Sequence, residues 1–256
     1  MTSHNQAVLD SFGPQAQAYL ESPVHAGGPD LDLARSLVGG YVPPDGEALD
    51  VGCGAGHLSF LLASMVARVV ALDPAPAMLA TVRGAAAARG LAGIETREGG
   101  AEALPFPDAS FDLAATRYSA HHWSRLDKAL REMRRVLRPG GNLLVIDVEG
   151  DGNALLDTHL QSLELLRDRS HVRDRSAREW RALLADAGFK LSQEEHWPLR
   201  LAFGPWVARM DTPADRIALI RALQTEAPQE VQQGLGLEPD GSFTVWTALF
   251  WARART

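Results

Sequence analysis

Leu49-Asp50-Val51-Gly52-Cys53-Gly54-Ala55-Gly56-His57 stands between an apolar run, Glu47 to Val51, and a segment with helically spaced apolar residues at Leu58, Leu61, Leu62, Met65 and Val66. The stretch reads as a buried strand, a glycine bend and a helix start. Glycine is needed where backbone turns tightly and a ligand must come close with no Cβ in between. The first N–H groups of the following helix have no partner inside it and can meet an anionic group. At the carboxyl end of a first parallel strand, such a bend opens onto a ligand crevice. A purely structural turn is the competing reading.

On both sides the pattern continues. Asp30 to Val38 reads as a helix, broken by Pro43, Pro44, Asp45 and Gly46. Strands are expected at Arg68 to Asp73, Ile94 to Glu98, Phe111 to Arg117 and Leu143 to Val148, with helices between them. One helix starts at Pro76 and ends near Gly90; another carries Leu126, Ala129, Leu130, Met133, Val136 and Leu137. Ser124 with Asp127, and Ser176 with Glu179, have the spacing of capping boxes, the first with Asp in place of Glu. Pro139-Gly140-Gly141 is expected to stop the helix and turn into the fifth strand. Asn153 to Arg167 looks helical, Lys190 to His196 fits a strand, Thr212-Pro213 opens a helix, and Phe243 to Trp251 reads as the closing strand. Alternating strands and helices imply an α/β fold whose mostly parallel sheet is covered on both faces. One domain is expected over 1–256. Residues 1–45 form a helical cover, 46–150 the binding core, and 151–256 the remaining helices and closing strands, with a helical insertion at Phe203 to Gly236.

Composition bounds the function. The 256 residues carry a formal net charge of −7, which disfavours a generally basic nucleic-acid surface. The Arg-dense stretches Arg131 to Arg138 and Arg167 to Arg178 are interleaved with acids and read as solvated faces. Cys53 is the single cysteine, so an internal disulfide and a cysteine-rich zinc cage are excluded. The first ten residues lack the pattern of a signal peptide, and the apolar runs have strand length, so a cytoplasmic chain without a membrane span is expected.

The glycine spacing is G-x-G-x-G, because His57 stands where a dinucleotide fingerprint has its third glycine. Asp73, about 20 residues further on, ends the second strand, where a carboxylate can accept both hydroxyls of a ribose. That supports a nucleoside ligand without choosing among cofactors. A nicotinamide-dependent oxidoreductase and a non-catalytic binding module remain the alternatives.

The segment LDVGCGAGHLSF resembles motif I of class I S-adenosylmethionine-dependent methyltransferases, VVALDPAPAML their second motif and GGAEALPFPDASFD the third. REMRRVLRPGGNLLVID is similar to their helix, turn and fifth strand, so the resemblance runs in order from Glu47 to Val148. The subgroup it resembles is the ubiquinone/menaquinone-biosynthesis-like family, methyltransferase type 11. TRYSAHHW and RDRSHVRDRSAREW are similar to segments of its uncharacterised bacterial members. The resemblance implies a Rossmann-like sheet of seven strands, the last antiparallel, and S-adenosyl-L-methionine as cofactor. It places Gly52, Gly54, Gly56 and Asp50 around the methionine moiety, Asp73 on the ribose, Met78, Ala101 and Glu102 beside the adenine, and Tyr19 over the cofactor. Gly100 departs from the many relatives that have Asp there, so the adenine contact falls to backbone, water or Glu102.

Methyl transfer needs alignment and exclusion of water, and a base only where the acceptor atom must lose a proton. His121 and His122, beyond the fourth strand, are the candidate catalytic residues. In an extended segment their side chains point opposite ways, so at most one should face the methyl. Arg117, ending the same strand, is a candidate for the cofactor's carboxylate or a substrate anion, with a surface ion pair as the bland alternative. His25 and His171 are further candidates, the latter read as a surface loop. Trp197, Trp206, Phe203 and Trp246 could line an aromatic pocket, although large aromatics are more often core. No metal site is expected. The expected partners are a small-molecule methyl acceptor and, at most, a second copy of the chain.

Overall fold

A computed structural model describes residues 3–255 of the chain. Four helices come first: α1 (His4–Phe12), α2 (Ala16–Leu20), α3 (Pro23–Ala26) and α4 (Pro29–Tyr41). Then follow β1 (Glu47–Val51), α5 (His57–Ala63), β2 (Arg68–Asp73), α6 (Pro76–Ala88), β3 (Ile94–Glu98), β4 (Phe111–Arg117), α7 (Leu126–Val136) and β5 (Leu137–Glu149). The second half holds α8 (Ala154–Arg167), α9 (Ala177–Asp186), β6 (Phe189–Leu201), α10 (Phe203–Ala208), α11 (Ala214–Thr225), α12 (Gln229–Gly234) and β7 (Phe243–Ala254).

The strands form one seven-stranded sheet in the order β3-β2-β1-β4-β5-β7-β6. β1 to β5 are parallel, and β7 runs antiparallel to both its neighbours. Alternation along the strands splits the apolar residues between two faces. Leu49, Val51, Val70 and Leu72 pack with Leu130, Met133 and Trp180 of α7 and α9. Ala48, Val69, Leu113 and Leu144 pack with Leu37, Val38, Leu61 and Leu62 of α4 and α5. A third core, with Leu160, Trp206, Ile220, Val231 and Phe243, joins α8 to the helices inserted before β7.

Several local expectations change. Ser176 and Glu179 do form a reciprocal capping box at α9. Ser124 does not cap α7, because its hydroxyl is drawn to Glu102 Oε1 at 3.3 Å and Arg125 takes the cap position without a side-chain bond. Pro139-Gly140-Gly141 lies inside β5, whose pairing to β4 slips between Phe111 and Leu113. The second Arg-dense stretch is not a solvated face: Asp168, Ser170, His171 and Asp174 are buried. In the first, Arg135 reaches inward to the Leu104 and Phe106 carbonyls.

Strand order reverses between β1 and β4, which leaves a crevice at their carboxyl ends. The bend there is pinned from β2: the Gly52 and Cys53 N–H groups donate to the Leu72 carbonyl at 2.8 and 3.0 Å. Three glycines serve three purposes. Gly52 has φ 69°, and a Cβ there would lie 1.9 Å from Ser119 Oγ. Gly56, at φ 93°, would strike Phe60 and Val82. Gly54, at φ 50°, has nothing within 4 Å of a would-be Cβ, so it faces open space. Urea unfolding should therefore separate them. Gly54→Ala is expected to lose about 1–2 kcal/mol from its left-handed backbone alone, and Gly52→Ala clearly more, from added overlap with a fixed Cβ-linked oxygen. Equal losses would contradict this division.

Candidate functional site

The crevice is a cavity of about 370 Å³, bounded by the bend, the ends of β2 and β4, and helices α1 and α2. Asp50, Gly52, Gly54, Asp73, Met78, Ala101, Glu102, Arg117, His122 and Tyr19 all line it. Gly56 does not; it serves packing under the bend.

Asp50 is buried on β1. Its Oδ2 accepts a 2.6 Å hydrogen bond from Ser59 Oγ, while Oδ1 has no partner among the described residues. Burial pushes its carboxyl up to about 7, more than the Ser59 hydrogen bond holds it down. Across the cavity Arg117 is also buried. Its Nε pairs with Asp30 at the start of α4 and its Nη1 donates to the His25 carbonyl at 2.9 Å. Its Nη2 is buried without a partner. Arg117 is thus neither free nor in a surface ion pair: Asp30 and the His25 carbonyl hold two nitrogens of the fork and leave the third over. A buried polar atom with no partner costs free energy. An acceptor oxygen and a donor nitrogen left over in one cavity match the ammonium and carboxylate of an α-amino acid.

Asp73 accepts from the Gly54 N–H at Oδ2 and the Ala75 N–H at Oδ1, both at 2.9 Å. Burial raises its carboxyl to about 6 against the pull of those two bonds. Each oxygen keeps a further lone pair, enough for two hydroxyls. Met78 and Ala101 are buried and apolar, suited to the flat faces of a base, and Glu102 sits at the rim with Oε1 occupied by Ser124. Cys53 is buried, and burial pushes its thiol well up, which agrees with a small core residue.

The two histidines do not lie on an extended segment. Ala120–His122 is a single 3-10 turn, and the imidazole centroids are 4.1 Å apart. His121 leaves the crevice for a smaller chamber behind it and pairs with Asp147 Oδ1 at 2.5 Å. Burial opposes its charge, but the Asp147 carboxylate prevails and lifts it to about 9. His122 lines both spaces. Burial and then the charge on His121 hold it well below the usual imidazole range, so it is neutral. Its Nδ1 faces the Ser170 carbonyl at 3.1 Å. A carbonyl only accepts, so Nδ1 carries the proton and Nε2 the free lone pair.

Tyr19 closes the cavity from α2, with its hydroxyl directed to Met210 Sδ at 3.1 Å and its ring against Phe12 and His25. His57 lines the crevice and bonds the Tyr19 carbonyl through Nε2 at 3.1 Å, which ties the cover to the bend. His171 is buried, not on a surface loop, and bonds Gln161 Oε1 at 2.8 Å. Of the four aromatics, Trp206 lines the smaller chamber, Phe203 packs on the third core, Trp197 packs partly buried on the second, and Trp246 is exposed. Sequence reading missed Asp30, Ser59, Asp147, Arg167 and Arg209; nothing local marks them. Among the described residues no His, Cys, Asp or Glu group is placed to hold a metal, and no helix is long and apolar enough to cross a membrane.

Comparison with known proteins bears on the family and the fold. The family described as "Methyltransferase domain" matches residues 49–145. The chain is 45% identical over 193 residues to "Uncharacterized protein YafE" of Escherichia coli, covering 75% of this chain and 93% of that one. It is 35% identical over 205 residues to "Uncharacterized methyltransferase YcgJ" of Bacillus subtilis, covering 80% of each. The crystal structure of YcgJ superposes with a TM-score of 0.84 at 32% identity, covering 89% of this chain and 98% of that one. These matches lead to one assignment: the chain belongs to the class I S-adenosylmethionine-dependent methyltransferases, type 11 family, with S-adenosylmethionine as its cofactor.

Proposed function

We propose that the enzyme methylates a small-molecule acceptor by in-line displacement, with His122 receiving the acceptor's proton. The observation that carries the proposal is the pair of partnerless buried atoms, Asp50 Oδ1 and Arg117 Nη2, on the same crevice as the Asp73 carboxylate. In this reading Asp50 takes the ammonium and Arg117 the carboxylate of the cofactor's amino-acid end. Asp73 takes the ribose hydroxyls, Gly54 lets the ligand approach the bend, and Met78, Ala101 and Glu102 border the adenine.

When bound, S-adenosylmethionine supplies a methyl group already activated by a positive sulfur. The chain has only to align the acceptor, keep water out and manage one proton. Phe12, Tyr19 and His25 line both the crevice and the chamber behind it. His122 lines both crevice and chamber, and with its Nδ1 proton held by the Ser170 carbonyl the lone pair is on Nε2. His121, charged and paired to Asp147, is no base; it lowers the basicity of His122. Such a weak base matches a proton that becomes strongly acidic as the new bond to carbon forms.

Two measurements test this. The Asp50 anion is the form that pairs with an ammonium, and it forms as pH rises through about 7. Below that pH binding must first expel a proton, so cofactor affinity should strengthen from pH 5.5 to 8, on the order of tenfold per unit below the transition. Asp50→Asn should flatten this step, leaving a shallower one near pH 6 from Asp73. Affinity independent of pH in the wild type would remove Asp50 from the site. For the base, transfer of an isotopically labelled methyl into a metabolite mixture is the assay. His122→Ala should lower turnover by about two orders of magnitude while cofactor affinity changes only a few-fold; unchanged turnover would exclude His122.

A further inference from the structure

Behind the crevice lies a chamber of about 70 Å³ that shares Phe12, Tyr19, His25, Tyr118 and His122 with it. Its apolar wall is Val148, Leu199, Leu201 and Trp206, and its charged lining is Arg167, Arg209, Glu164, Asp174 and His121. Most of that charge is already matched. Arg167 pairs with Glu164 at 3.4 Å and donates to the Trp206 carbonyl at 3.0 Å. His121 pairs with Asp147. Asp174 is buried beside His171, 3.9 Å from its Nε2, and burial holds its carboxyl well above the ordinary range.

Arg209 is the exception. It is half-buried beside Arg167, with no ion pair and no hydrogen bond among the described residues. A guanidinium does not lose its charge in a protein, and one partly removed from water gains from an anionic partner. The surplus is felt across the chamber: His25 is held well below its ordinary value by burial and then by Arg209 and Arg117.

We infer that this chamber is the acceptor site and that the acceptor is a small molecule bearing one acidic group, a carboxylate or a phosphate, on an apolar body. Arg209 takes the anion, Trp206, Leu199 and Leu201 take the body, and the atom to be methylated looks past His122 into the crevice. This rests on the crevice being the cofactor site. The chamber admits one end of a small molecule, since about 10–15 Å³ of such space already holds a water.

The test is calorimetric titration of the full chain, saturated with S-adenosylhomocysteine, with benzoate, phenyl phosphate, benzamide and benzylamine. At least one anion should bind saturably and roughly tenfold or more tighter than the neutral and cationic probes. Whichever anion binds tighter tells carboxylate from phosphate. Arg209→Gln should lose that anion binding by a similar factor and keep its affinity for S-adenosylhomocysteine, while Arg209→Lys should retain part of the anion binding. Equal binding of all probes, preference for benzylamine, no saturable anion binding, or full anion binding by Arg209→Gln would each overturn the inference. Failure of S-adenosylhomocysteine itself to bind would overturn the cofactor reading first, and the acceptor site with it.

Discussion

The Asp73 carboxylate, fixed by the N–H groups of Gly54 and Ala75, couples the glycine bend to the second strand, and the cavity's shape depends on that coupling. A bend with positive φ at Gly52, Gly54 and Gly56 would drift if its N–H groups faced only water. Here Leu72 and Asp73 accept from Gly52, Cys53 and Gly54, so the ends of β1 and β2 act as one rigid lip. Burial makes the ionised carboxyl of Asp73 costly, and hydroxyl donors would relieve part of that cost. The same carboxylate that shapes the bend is therefore also primed to bind.

A second coupling joins the helical cover to the sheet. Arg117 ends β4, yet its partners Asp30 and the His25 carbonyl come from the N-terminal helices. The guanidinium thereby ties the cover over the crevice and keeps one buried nitrogen without a partner. His57 adds a tie from the helix after the bend to Tyr19. In the proposed function, removing water from the crevice and positioning the ligand would fall to the same few side chains, as an in-line transfer asks of a protein.

Much of this was readable from the chain. The buried parallel strands announce themselves as apolar runs, and the acids and bases that matter stand at strand ends, where the fold opens. Asp73 and Arg117 stand out as candidates for that reason, and Asp50 for its place at the entrance of the glycine bend. Their partners do not. Asp30 lies 87 positions from Arg117, and Asp147 lies 26 from His121, with no local pattern connecting either pair. The histidines were misjudged as extended because two adjacent residues show no periodicity; the His122 N–H donates back to the Ser119 carbonyl and closes a turn. Ser124 was misjudged because Glu102, 22 positions away, competes for its hydroxyl. The stretch from Arg167 to Asp174 reads as solvated because its charges alternate in sign, yet Asp168, Ser170, His171 and Asp174 turn inward, where Asp168 Oδ1 accepts from Ser170 and His171 bonds Gln161.

The central claim is that one crevice holds an adenosyl amino acid by both its ends. A crystal structure of the protein with S-adenosylhomocysteine tests it most directly. The account predicts the ammonium on Asp50 Oδ1, the carboxylate on Arg117 Nη2, and both ribose hydroxyls on Asp73. Density for the ligand in another part of the molecule, with Asp50 and Arg117 still lacking partners, would contradict it.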